Sequence, residues 1–125
     1  MNELTREIVY YFSFLYKSEG CKFIDSTYYP GGGIVVLESD KLVVKFVREK
    51  GETTVDIGPA YMKDVYFNLF WVRKLIGENP NFADNTKADK LADFLEKNFQ
   101  KIISLVSPQA LEQTIHQVEK MKKEL

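Results

Sequence analysis

"GIVVLESDKLVVKFVREKGETTVDIGP", residues 33–59, decides the fold, because branched and aromatic residues alternate there with polar ones at a period of two. Ser39-Asp40 is expected to form a tight turn between a strand over GIVVLE and one over KLVVKFVRE. Lys50-Gly51 then separates the second strand from a third, ETTVDIG. Register follows from which residues would share a buried face. If Arg48 faces Thr53, Val44 and Phe46 meet Ile57 and Val55 on one side, and Lys45 meets Asp56 on the other. A slip of one residue would bury Asp56 against Val44, so the first register wins. The same logic across Ser39-Asp40 sets Val35 and Leu37 beside Val44 and Leu42.

Working upstream, CKFIDS (21–26) reads as a first strand, which makes a four-stranded antiparallel meander with one strongly apolar face. Before it, Leu4, Ile8, Tyr11, Phe12 and Leu15 share a helical face, with Asn2 as cap and Gly20 as stop. Val9, Phe14 and Tyr16 widen that face, so the helix is expected to be covered on two sides. Downstream, Pro59 closes the sheet. Helical spacing resumes from Ala60 to Gly77 with Val65, Leu69, Val72 and Ile76 as the core stripe, and ENPNFADN is a loop. A long helix is expected from about Thr86 to Val106, burying Leu91, Leu95, Phe99 and Ile102 with Asn98 alone among them. A last one starts at Ser107-Pro108 and buries Leu111, Ile115, Val118 and Met121. The predicted architecture is a single α+β domain over residues 1–125: an N-terminal helix, the four-stranded meander, then three helices packed on the sheet.

Composition narrows the function classes. The chain of 125 residues is 45% hydrophobic and 28% charged, which suits one domain with a real core. Seventeen basic side chains stand against eighteen acidic ones, for a net charge of -1, so no field of one sign points to nucleic acid or an anionic membrane. Cys21 is the only cysteine, which leaves no internal disulfide and no thiolate zinc site and fits a reducing cytoplasm. The first twenty residues lack a basic start and a small-residue cleavage site, and their apolar run is too short to span a bilayer. A cytoplasmic location is therefore expected.

No catalytic, cofactor or metal constellation emerges. The triplet in STYYPGGG (26–33) precedes a strand rather than a helix, its glycines are consecutive, and no Lys-Ser/Thr follows. It lacks the order a phosphate loop needs and reads instead as a flexible joint, so Gly32→Ala should matter little. His116 is the sole histidine and falls on the polar side of the last helix, among Glu112, Glu119 and Lys123. Cys21 is expected to pack as a small apolar residue. Asp56 and Asp64 could do acid–base work only from a shared cleft, and each has a structural role at hand: Lys45 for one, a helix dipole for the other.

The surplus of aromatics carries the functional hint. Phe67, Phe70 and Trp71 project away from the Val65–Leu69–Val72 stripe, beside Lys63, Arg73 and Lys74. Either the C-terminal helices cover them, the favoured reading, or they anchor a protein partner. Tyr28 and Tyr29 form a second candidate contact patch. These five residues make a non-enzymatic, protein-binding role the first functional expectation, self-association included. A small-molecule binder or enzyme, with a pocket between sheet and helices and Asp56 or Tyr29 at its mouth, is the second.

The meander, with YYFSFLYKSEGCKFIDS before it and the aromatic helix behind it, resembles a family of small uncharacterised bacterial α+β proteins of unknown function. They share a hydrophobic N-terminal helix and a VLES-D-L-V-F-R-E-G-VDI meander. The resemblance covers the first two thirds of the chain and implies a fold, with no functional residues to carry over. Some small bacterial α+β proteins without catalytic groups neutralise toxins as immunity proteins, which makes that role an expectation by analogy alone.

Overall fold

The computed structural model describes residues 2–125 and places helices on one face of a five-stranded antiparallel sheet. Strands β1 (Lys22–Tyr29), β2 (Gly32–Glu38), β3 (Leu42–Glu49) and β4 (Glu52–Pro59) form the meander, and β5 (Phe67–Asn68) adds a fifth strand in the order β1-β2-β3-β4-β5. Between β3 and β4 the expected register holds: Arg48 faces Thr53, Lys45 faces Asp56, and Val44 and Phe46 face Ile57 and Val55. All four of those apolar residues are buried under the helices.

Between β2 and β3 the register differs from expectation by two residues. Val35 faces Phe46 and Leu37 faces Val44, because the connection is wider than a two-residue turn. The Ser39 hydroxyl accepts hydrogen bonds from the Lys41 and Leu42 amides at 3.3 and 3.1 Å, and the Ser39 amide donates to the Leu42 carbonyl at 2.8 Å. An even shift keeps every side chain on its face, so the core survives the change.

The N-terminal helix is two helices. Helix α1 (Glu3–Tyr11), capped by the Asn2 side chain, stops at Phe12, and the short α2 (Phe14–Lys17) follows. The break lets Phe12, Phe14 and Leu15 all enter the core, which one straight helix carrying Leu4 and Ile8 could not achieve. Val9 and Tyr11 stay outside at 45% and 40% exposure, so the helix is covered on one side only.

The expected helix from Ala60 shrinks to α3 (Leu69–Leu75). The Asn68 side chain accepts from the Phe70 amide and starts the helix there, while Phe67 is drawn into the sheet opposite Ile57. Leu69 and Val72 are buried as expected, and Val65 and Ile76 are partly buried against the core. The long helix divides into α4 (Ala88–Lys97) and α5 (Phe99–Leu105) at Asn98, whose side chain donates to the Phe94 carbonyl at 3.0 Å. Helix α6 (Leu111–Lys123) begins three residues after Pro108, and Thr114 in it donates to the Leu105 carbonyl at 2.7 Å, closing the end of α5. Four α-helices, with a 3-10 turn at Asp84–Thr86 before α4, thus follow the meander where three helices were expected. Leu111, Thr114 and Val118 are buried in α6, with Ile115 and Met121 only partly so.

Candidate functional site: the β1 edge and the N-terminal helices

Strand β1 ends the sheet, with β2 on one side and, among the described residues, no strand on the other, and all eight of its residues are exposed. Its pairing with β2 assigns the faces. Phe23, Ser26 and Tyr28 lie in rows with Leu37, Val35 and Gly33 on the helix side, and Lys22, Asp25, Thr27 and Tyr29 lie on the outer side. A β-bulge between Phe23 and Asp25 leaves Ile24 as the extra residue. The strand runs to Tyr29, three residues beyond the expected end at Ser26, so both tyrosines are strand residues rather than loop residues.

The glycine triplet is correspondingly not a flexible joint. Pro30-Gly31 makes a two-residue turn, with Gly31 at a φ of 82°, and Gly32 and Gly33 already pair with Tyr29 and Tyr28. A Cβ on Gly32 would stand 2.1 Å from the Arg48 carbonyl oxygen and 2.8 Å from the Tyr29 ring. The ring therefore lies across the glycine, and its hydroxyl donates to Glu49 at 3.2 Å. The absence of a side chain at Gly32 is what admits the tyrosine.

Helix α1 leans on this edge. Thr5 and Tyr28 share a hydroxyl–hydroxyl hydrogen bond of 2.8 Å, and Glu7 pairs with Arg48 at 2.9 Å while also accepting from the buried Thr53. Tyr28, Gly33, Arg48 and Thr53 form one row across the sheet, so α1 is fastened along the whole row. Its outer side carries Val9, Tyr10 at 78% exposure and Tyr11, and a groove of about 700 Å³ runs there past Arg6, Ser13 and Lys17. In α2, Tyr16 meets the Phe23 ring at 5.6 Å. Seven exposed apolar side chains thus fall between residues 9 and 29: Val9, Tyr10, Tyr11, Phe23, Ile24, Tyr28 and Tyr29. Only the last two belong to the patch expected from sequence. The missed signal was topological, since the first strand of a meander is an edge unless something later covers it.

The other candidate patch is mostly interior. Phe67 and Phe70 are 6% and 5% exposed, so in the folded chain they are not surface anchors. Phe82, from the loop before α4, stacks on Phe70 at 4.6 Å and 8°, and Trp71 sits edge-on to Phe70 at 5.0 Å with Lys74 and Lys122 over its ring. Trp71 alone of the three reaches the surface in part.

Asp56 and Tyr29 both lie on the outer face of the sheet, so neither stands at the mouth of a space between sheet and helices. Burial holds the Asp56 carboxyl above its ordinary value, against the opposing pull of Lys45 and of the 3.2 Å hydrogen bond from Asn68. Lys45 places its ammonium 5.3 Å from the centre of the Tyr66 ring rather than forming a close ion pair with Asp56. Asp64 lies outside the helices, and His116 is exposed. Cys21 is buried and desolvation pushes its thiol up to about 11, the opposite of what a nucleophile needs. Among the described residues no three His, Cys, Asp or Glu side chains converge on a metal site, and no helix is long and apolar enough to cross a membrane.

No family model matches the chain, and no curated protein or solved structure was found to match it either.

Proposed function

We propose that the chain is a non-enzymatic protein-binding module that docks through the β1 edge and the adjoining outer side of α1. The observation that carries this is the wholly exposed edge strand, with Phe23, Ile24, Tyr28 and Tyr29 beside Val9, Tyr10 and Tyr11. Aromatic side chains rimmed by Arg6, Glu7 and Lys17 make the usual composition of an interface, and an unpaired strand can accept another strand from a partner. Analogy with small bacterial α+β immunity proteins, together with the lone Cys21, extends the proposal to a cytoplasmic, partner-neutralising protein. A photo-cross-linking residue at position 24, with one at the exposed Glu112 of α6 as control, tests the docking surface. A protein linked only from position 24, whose affinity for the purified chain falls on Ile24→Asp, is the expected result. Equal linking from both positions, or none, defeats it.

One observation favours a second reading, a small-molecule binder. A cleft of about 440 Å³ opens between the β2–β3 turn and the α5–α6 connection, lined by Lys41, Tyr61, Ile103, Val106, Pro108 and Gln109. The Tyr61 hydroxyl donates to the Val106 carbonyl at 2.7 Å across its floor. A ligand held there must raise the melting temperature, and a metabolite screen with no such shift removes the reading.

A further inference from the structure

We infer that β1 pairs antiparallel with β1 of a second copy, about a two-fold axis at Ser26, joining two five-stranded sheets into one of ten strands. The inference rests on the docking surface proposed above and names its occupant. In a two-fold pairing, residues opposite each other must point to the same face, and because of its bulge β1 meets that demand along its whole length only with the axis at Ser26; an axis at Thr27 matches residues 25–29 alone. Counting outward from Ser26, Asp25 comes opposite the partner's Thr27, both on the outer face. With Ile24 bulged out, Phe23 comes opposite the partner's Tyr28, both on the helix side, and Lys22 opposite the partner's Tyr29, both outside. Without the bulge, Phe23 and Tyr28 would point to opposite faces. A bulge and charges ordinarily guard an edge against pairing. Here the bulge brings the two halves of the strand into phase with each other.

Side-chain chemistry agrees with this register. Each Phe23–Tyr28 pair joins two half-exposed aromatic rings, and Tyr16 and Thr5 already hold those rings from behind. Lys22 would extend the partner's row Tyr29–Gly32–Glu49, lying over the tyrosine ring whose hydroxyl donates to Glu49, a carboxylate that forms no ion pair among the described residues. Only a small hydroxyl sits on the axis. The assembly stops at two, because the opposite edge is the two-residue β5, whose Asn68 is engaged by Asn85.

Sedimentation equilibrium across the micromolar to low-millimolar range should show the mass doubling with concentration, and Phe23→Ser should raise the dissociation constant about tenfold or more. Ser26→Cys fixes the register, since opposed residues of antiparallel strands lie within disulfide reach and the native Cys21 is buried. That variant should oxidise to a covalent dimer by itself, whereas Asp25→Cys and Thr27→Cys should link to each other on mixing and poorly alone. A chain that stays monomeric throughout, or a dimer indifferent to Phe23→Ser and unlinked by Ser26→Cys, overturns the inference. A monomer that still cross-links a different protein from position 24 retires self-pairing and leaves the docking surface standing. A monomer that cross-links nothing removes both.

Discussion

Strands β1 and β3 are each eight residues long, with four and five apolar or aromatic residues respectively, yet one is wholly exposed and the other supplies the centre of the core. The difference lies in their neighbours. β3 has strands on both sides and α1 above it, so Leu42, Val44 and Phe46 are fully buried. Among the described residues β1 has a neighbouring strand on one side only. Apolar side chains in β3 stabilise the fold, and those in β1 remain available for another molecule. The sharpest way to break this contrast is to truncate one aromatic from each strand. Phe46 packs edge-on to Phe12 at 4.8 Å, and Phe46→Ala should cost about 3–5 kcal/mol in chemical denaturation. Phe23→Ala, at 50% exposure, should cost less than about 1 kcal/mol. Equal losses would mean that β1 belongs to the core after all.

The next largest effect lies where the two regions meet. Gly32→Ala would push a methyl group into the Arg48 carbonyl and the Tyr29 ring, forcing β2 from β3 or expelling the tyrosine. A loss of about 2–3 kcal/mol is expected, the upper part of the range for overpacking. A variant as stable as the parent would show that the triplet is a loose joint and that Tyr29 is not held across it. Glu7→Ala tests the fastening of α1 above the same strands. It removes the carboxylate that Arg48 and Thr53 share, leaving them only the 3.0 Å bond that Arg48 donates to Thr53, and should cost about 1.5 kcal/mol, with Thr5 and Tyr28 released with the helix. Hydrogen exchange should then rise in α1 and β1 and stay unchanged in β4.

The same contrast separates what was legible in the sequence from what was not. The β3–β4 register could be derived because Lys50-Gly51 allows a single loop length and because an odd slip would bury Asp56. The β2–β3 register could not, since a slip of two leaves every residue on its face and the pattern is blind to it. The helix from Ala60 failed for a local reason. Val65, Leu69 and Val72 keep helical spacing, but Asn68 caps the helix behind Phe70 and releases Phe67 to a strand too short to show a period. Only two of the seven residues of the exposed patch were legible. Tyr28 and Tyr29 drew attention through the glycines, while Val9, Phe23 and Ile24 looked like any amphipathic core residues. Their exposure depends on what fails to lie beside them, which no local pattern records.

The smallest expected effect concerns the outer face, where β3 is half open. Asp56, opposite Lys45, is half-buried there and its carboxyl is held above the ordinary value chiefly by desolvation. The folded chain therefore keeps this proton more readily than the unfolded one. Stability from this group is present at low pH, and it falls as the pH rises from the ordinary carboxylate value through the raised one. Asp56→Asn removes the titration while keeping an oxygen able to accept from Asn68 at the same place. The variant should be as stable as the parent or slightly more so at neutral pH, by less than about 1 kcal/mol given solvent screening. Its advantage should shrink as the pH is lowered through the carboxylate range. A variant markedly less stable at neutral pH would mean that attraction to Lys45 outweighs desolvation, and that the outer face is an ion-paired surface rather than a half-dry one.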